Sequence, residues 1–115
     1  LANVAWKTTT GPTAWESKEA FLNTFKNTSW ANEFHVWRMD WDKESIKLYV
    51  DNQLINEIKI KKTINTKNQI ISPFEQPHYL LVNLAVGGTE GGEFTDESFP
   101  SKYIIDYVRV YQKKE

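Results

Sequence analysis

Cysteine is absent from this 115-residue chain. That excludes a disulfide framework and a thiolate-held metal, and it leaves the redox compartment open. An excess of one charge is absent too. Fourteen basic and fifteen acidic residues give a formal net charge of -1, so no long-range field draws in nucleic acid or an anionic membrane surface. Lysines gather between Lys59 and Lys67, but a solvated edge-strand face accounts for them. No apolar run is long enough to span a bilayer as a helix, and no signal-peptide pattern is visible. Internal repeats and low-complexity runs are missing. So are a Walker-type loop, a dinucleotide fingerprint and a Ser/His/Asp order. Gly87-Gly88 and Gly91-Gly92 precede no helix whose N-terminus would hold a phosphate. The two histidines, His35 and His78, lack the patterned carboxylates of a zinc site.

What the chain does have is aromatic side chains, 14% of the total with five tryptophans. Sandwich cores bury such groups, and sugar clefts display them. Strand signals recur along the chain with turns every eight to twelve residues, which predicts an all-β sandwich. Strands are expected at 3–7, 34–41, 46–50, 54–60, 78–86 and 103–111. Asp51-Asn52-Gln53 reads as a hairpin turn, because Asp and Asn tolerate left-handed backbone. Residues 61–73 and 90–102 read as loops. The stretch 13–25 reads as strand and loop, with a short capped helix as the alternative. Alternation in 34–41 puts His35, Trp37, Met39 and Trp41 on one face and Phe34, Val36, Arg38 and Asp40 on the other. Both faces are bulky, so both are expected to be covered. A sandwich of this class commonly runs to roughly 200–250 residues, about twice the length here.

A catalytic pair needs two acidic side chains on one face. Asp40 and Asp42 stand two apart, about 6.6 Å along a strand. Their setting, MDWDKES, is a strand entering a turn, which suits turn capping and an ion pair with Arg38 or Lys43. Glu90, Glu93, Asp96 and Glu97 read as a solvated loop. His35 reads as a hydrogen-bonded core residue. Asn83 interrupts the apolar run YLLVNLAV. A buried amide is costly unless hydrogen-bonded, so it either bonds to neighbouring backbone or faces a cleft. Trp15 and Trp30, expected in loops, either stack on pyranose rings or pack onto the sandwich.

The segments LANVAW (1–6), FHVWRMDW (34–41), IKLYVDNQLINE (46–57) and the stretch from Pro73 to Gln112, with its NLAVGG and IIDYVRVY runs, resemble family sixteen of the glycoside hydrolases, the laminarinase/lichenase type. The resemblance covers nearly the whole chain and corresponds to the C-terminal half of that domain. It implies an all-β, concanavalin-like jelly-roll sandwich in which N- and C-terminal strands interleave. The implied activity is retaining endo-hydrolysis of β-1,3- or mixed-linkage glucan, with galactans of red algae as a second substrate class. Two further readings are a non-catalytic carbohydrate-binding sandwich and a structural or interaction domain. Such hydrolases use two carboxyl groups about 5–5.5 Å apart and require no cofactor. The family's Glu-x-Asp-x-x-Glu strand is missing here, and the chain opens on Leu1. The catalytic pair is therefore expected upstream, with the partner strands in a separate N-terminal half or a second copy. The resemblance implies a secreted, periplasmic or cell-surface location. It places Asn83 toward the catalytic centre and Asn3 and Lys7 beside substrate, with Val4 and Trp6 in the core. Asp106 matches the aspartate that several members use for a structural calcium. The chain departs at Ala5, where laminarinases often carry His, and at Thr89, where they often carry Trp.

Overall fold

The computed structural model describes residues 2–8, 12–20, 29–63, 65–66 and 70–114. These divide into two compact units, Leu1–His78 and Tyr79–Glu115. Among the described residues, all the sheet structure lies in the first unit and is antiparallel. The all-β expectation holds: among the described residues the one α-helical segment is a single turn at Gly88–Gly91.

Strands β1 (Ala2–Lys7) and β2 (Thr13–Lys18) form a hairpin with Ala5 opposite Trp15. The strand reading of 13–25 thus holds at its start, and 21–25 lie outside the described residues. Strands β3 (Trp37–Trp41), β4 (Ser45–Val50) and β5 (Gln53–Lys59) form a second sheet in that order. Two further strands, β6 (Asn65–Thr66) and β7 (Ile70–Ile71), make a short ladder inside the stretch expected to be loop.

Local chemistry explains the β4–β5 hairpin. Val50 pairs with Gln53, leaving Asp51 and Asn52 as a two-residue turn with φ of 47° and 67°. Positive φ at both central residues matches the right-handed twist of the strands, and Asp and Asn pay little for it. Ile46 faces Ile58 across the ladder, and with Val4 and Ile60 they form the buried core. Trp6, Leu48 and Phe74 pack around it. Each such aliphatic side chain contributes about 1.5–3 kcal/mol by leaving water. The expected core role of Val4 and Trp6 is therefore met.

One polar residue ties the two sheets together. Asn56 is 3% exposed and lies opposite Leu48 in the ladder. Its Nδ2 donates to the Ala2 carbonyl at 3.0 Å and the Glu16 carbonyl at 3.3 Å. The first hairpin is thus fastened to β5 through backbone oxygens of both its strands.

Three expectations are corrected. Residues 78–86 and 103–111 are not strands: no ladder includes them, and their side chains are exposed. Tyr79 reaches 86% exposure. Leu81, Val82, Leu84 and Val86, expected to be buried around Asn83, are exposed as well. The residue types favour strand, but a strand exists only with a neighbour to receive its hydrogen bonds. The third correction concerns β3. Register places Trp37, Met39 and Trp41 opposite Val50, Leu48 and Ile46, so all six side chains share one face. On β4 that face is largely covered. On β3 it stays open, with Trp37 66% and Met39 54% exposed.

Candidate functional site

The outward face of the first hairpin gathers three of the residues expected at a substrate. Alternation along β1 puts Asn3, Ala5 and Lys7 on the face opposite buried Val4. The register sets Ser17, Trp15 and Thr13 directly across from them. Cross-strand neighbours share a face, so Trp15 is flanked by small Ala5 and, at the corners, by Asn3, Ser17, Lys7 and Thr13. Trp15 is 61% exposed. The result is an aromatic ring over a methyl-sized neighbour, bordered by an amide, hydroxyls and one ammonium group. A pyranose offers such a surface its apolar C–H face and its rim of hydroxyls. Trp15 lies within β2, not in a loop as expected. Ser17 and Thr13 were missed; the alternation of Thr13, Trp15 and Ser17 was the available signal, but it needs the register to acquire meaning.

Trp30 has a different setting. It begins a 3₁₀ turn at Trp30–Asn32. Its ring stacks on His35 with centroids 3.8 Å apart and planes 17° from parallel. Trp37 meets it edge-on at 6.2 Å. One face of Trp30 is thus covered by imidazole, the packing alternative of the two weighed for it.

His35 is hydrogen-bonded at both ring nitrogens, as its core reading anticipated. Its side chain is 10% exposed. Nδ1 lies 2.6 Å from Asp51 Oδ2 and Nε2 lies 2.5 Å from the Trp30 carbonyl oxygen. Asp51 Oδ1 accepts the Val36 N–H at 2.9 Å. The Trp30 carbonyl, and then the Asp51 carboxylate, hold the imidazole above its usual value against burial, which pushes it down. Asp51 is held low, first by the Val36 N–H and then by His35. Nothing in the sequence linked two residues sixteen apart; the hairpin turn brings Asp51 back to the strand preceding it.

Four carboxylates of this unit, Asp40, Asp42, Asp51 and Glu57, are occupied. Asp42 Oδ1 accepts the N–H groups of Glu44 and Ser45 at 2.7 and 2.8 Å, and these bonds lower its proton affinity. Asp40 pairs with Arg38 Nε at 3.2 Å. The turn-capping and ion-pair readings of Asp40 and Asp42 are therefore correct. Glu57 takes Lys59 Nζ at 2.6 Å and is lowered by it. A general acid needs a raised proton affinity, and each shift here runs the other way. Asn83 and Asp106 both lie exposed in the second unit. No group of three or more His, Asp or Glu side chains able to hold a metal occurs among the described residues.

The family model for glycosyl hydrolases family 16 matches residues 6–109. A glucan endo-1,3-beta-glucosidase A1 of Niallia circulans is 37% identical over 90 residues, covering 75% of this chain and 13% of that protein. A beta-glucanase of Rhodothermus marinus is 36% identical over 83 residues, covering 70% of this chain and 29% of that one. A beta-1,3-glucan-binding protein of Penaeus monodon is 33% identical over 82 residues, covering 55% of this chain and 21% of that one. The chain thus spans less than a third of the length of each of these relatives. No solved structure matches it significantly.

Proposed function

The chain belongs to glycosyl hydrolases family 16, and from that premise we propose that it forms one wall of the polysaccharide cleft of a retaining endo-β-glucanase. Its fold class is the family's all-β, concanavalin-like jelly roll. The substrate is a β-1,3- or mixed-linkage glucan, in keeping with the printed names of its relatives. The observation that carries the reading is Trp15, an exposed indole centred on a polar hairpin face with Asn3, Lys7, Thr13 and Ser17 around it. The ring supplies a stacking surface, and the surrounding amide and hydroxyls supply hydrogen-bond partners for sugar hydroxyls. Asn83, exposed in the second unit, is a separate candidate for a sugar contact. The two carboxyl groups that break the glycosidic bond come from outside this chain, because the family's Glu-x-Asp-x-x-Glu pattern does not occur in it, and Asp40, Asp42, Asp51 and Glu57 are committed to structural partners. A polymer of this size is met outside the cytoplasm, so the protein works in a secreted, periplasmic or surface setting.

The test uses the full-length protein that carries this chain. Trp15→Ala should raise KM for soluble β-1,3-glucan by roughly three- to ten-fold, the effect of losing an aromatic contact of about 0.5–1.5 kcal/mol, with kcat changed less. An unchanged KM removes Trp15 from the substrate path. A second reading, glucan binding without hydrolysis, is supported by the Penaeus monodon relative named as a binding protein. Retention on immobilised β-glucan with no release of reducing sugar would decide for it.

A further inference from the structure

His35 has two ring nitrogens and two acceptors in front of them. The Asp51 carboxylate stands 2.6 Å from Nδ1 and the Trp30 carbonyl 2.5 Å from Nε2. Neither acceptor carries a hydrogen in the ionised protein, so both bonds require a hydrogen on the ring. A neutral imidazole has only one. We propose that His35 is a protonated latch: as an imidazolium it clips the 29–36 segment to the β4–β5 turn, and on losing its proton it releases that segment.

The surroundings supply the bias. Asp51 approaches from the β4–β5 turn, and Glu33 adds negative charge from the latched segment itself. The Trp30 indole also draws on the Asp51 carboxylate. The edge of Trp37, from β3, is apolar. The nearest cation on β3, Arg38, is turned to Asp40, Asn52 and the Tyr49 ring. Among the described residues, the charges facing His35 are thus acidic. The latch holds more than itself. It fixes Trp30, stacked on the imidazole, and it orders the turn in which Asn32 and Glu33 donate to the Ser29 and Trp30 carbonyls. Deprotonation leaves a lone pair against an oxygen at one of the two contacts, and the repulsion opens it.

The sign follows from linkage. The clipped pKa lies above the ordinary value of 6.5. The latch is therefore fully engaged below 6.5, weakens from there upward, and is lost as pH rises through the clipped value. Between those two values, opening becomes up to about ten-fold easier per pH unit.

Two measurements on the full-length protein test this. Nitrogen-15 spectra of the His35 ring at pH 6.0 should show both nitrogens protonated, with titration above 6.5. Amide exchange of Val36, whose N–H donates to Asp51, should lose protection with rising pH beyond the intrinsic acceleration. Asp51→Asn supplies the control. Asparagine suits the φ of 47° at this position, keeps an oxygen for the Val36 N–H, and offers His35 Nδ1 an N–H donor instead of an acceptor. A neutral ring then satisfies both contacts. In this variant His35 should titrate below 6.5 and the Val36 protection should become independent of pH. An unprotonated ring nitrogen at pH 6.0, titration at or below 6.5 in the parent, or flat Val36 protection in the parent would each overturn the latch. The outcome is independent of the glucan reading, because neither measurement involves a sugar.

Discussion

Asn56 fastens the first hairpin to β5, because its amide serves backbone oxygens on two different strands. Asn56→Leu removes both donations and leaves two carbonyls in an apolar setting. A buried acceptor left without a partner costs about 1–3 kcal/mol. The midpoint of denaturant unfolding should fall accordingly in the full-length protein, with the slope unchanged. The acid limb is set by carboxylates. Asp42 and Asp51 are both lowered from the ordinary aspartate value of 3.8, each by backbone N–H groups first, and Glu57 is lowered from 4.5 by Lys59. Groups depressed in the folded state stabilise it above their unfolded pKa, and that stability is lost as pH falls through the folded one. Stability should therefore decline progressively below about pH 5. Asp42→Asn should flatten that decline, which thermal melts between pH 2.5 and 5 would detect. Unaltered acid sensitivity would remove Asp42 from the account.

The β4–β5 hairpin is the element whose formation is most local. Its turn residues accept positive φ, its ladder opposes isoleucine to isoleucine, and Arg38 Nη1 reaches back to Asn52 Oδ1 at 2.9 Å. Asn52→Ala keeps the β-carbon but removes the short polar side chain that lets asparagine tolerate left-handed backbone, which otherwise costs roughly 1–2 kcal/mol. Asn52→Gly keeps the turn but loses the Arg38 contact, so it should lie between the parent and Asn52→Ala in a denaturant series. Equal destabilisation by the two variants would mean that the Arg38 bond, not the backbone, governs the turn. Residues 78–86 and 103–111 stand at the other extreme. Their Val, Ile, Leu and Tyr content favours strand, and nothing in the described residues pairs with them. A strand draws its stability from its neighbours. In the full-length protein the amides of Leu81, Leu84, Ile105 and Val108 should therefore be strongly protected from exchange. Rapid exchange there would show that these segments never enter a sheet.

At the scale of the molecule, the decisive feature is the open half of an otherwise covered sheet face. Trp37, Met39 and Trp41 continue the surface on which Ile46, Leu48 and Val50 are packed, and they remain exposed. An exposed apolar face that continues a packed one marks a surface for other protein to cover. Further strands of the same jelly roll are the simplest cover. The 115-residue chain produced alone should therefore aggregate or melt without a sharp transition, and it should release no reducing sugar from laminarin or lichenan. A monomer by size exclusion with cooperative unfolding would show that this face tolerates water. Glucan hydrolysis by the isolated chain, abolished by Asp40→Asn, would return catalysis to Asp40 and Asp42, which are committed to Arg38 and to the turn.

Class and family were legible in the residues themselves. Alternating aromatic and β-branched side chains need no partner to be recognised, and the runs FHVWRMDW and NLAVGG carry the family resemblance in order along the chain. The Asp51-Asn52 turn was legible for the same reason, since left-handed backbone is a property of those two residues. Tertiary structure decided what depends on register and on neighbours. It set Ala5 opposite Trp15, and so made a face from Asn3, Lys7, Thr13 and Ser17. It brought His35 between Asp51 and the Trp30 carbonyl. It also left 78–86 and 103–111 unpaired, although their composition favours strand. The physical reason is common to all three. A side chain's type is written locally, whereas hydrogen-bond partners and burial are supplied by atoms distant in the chain.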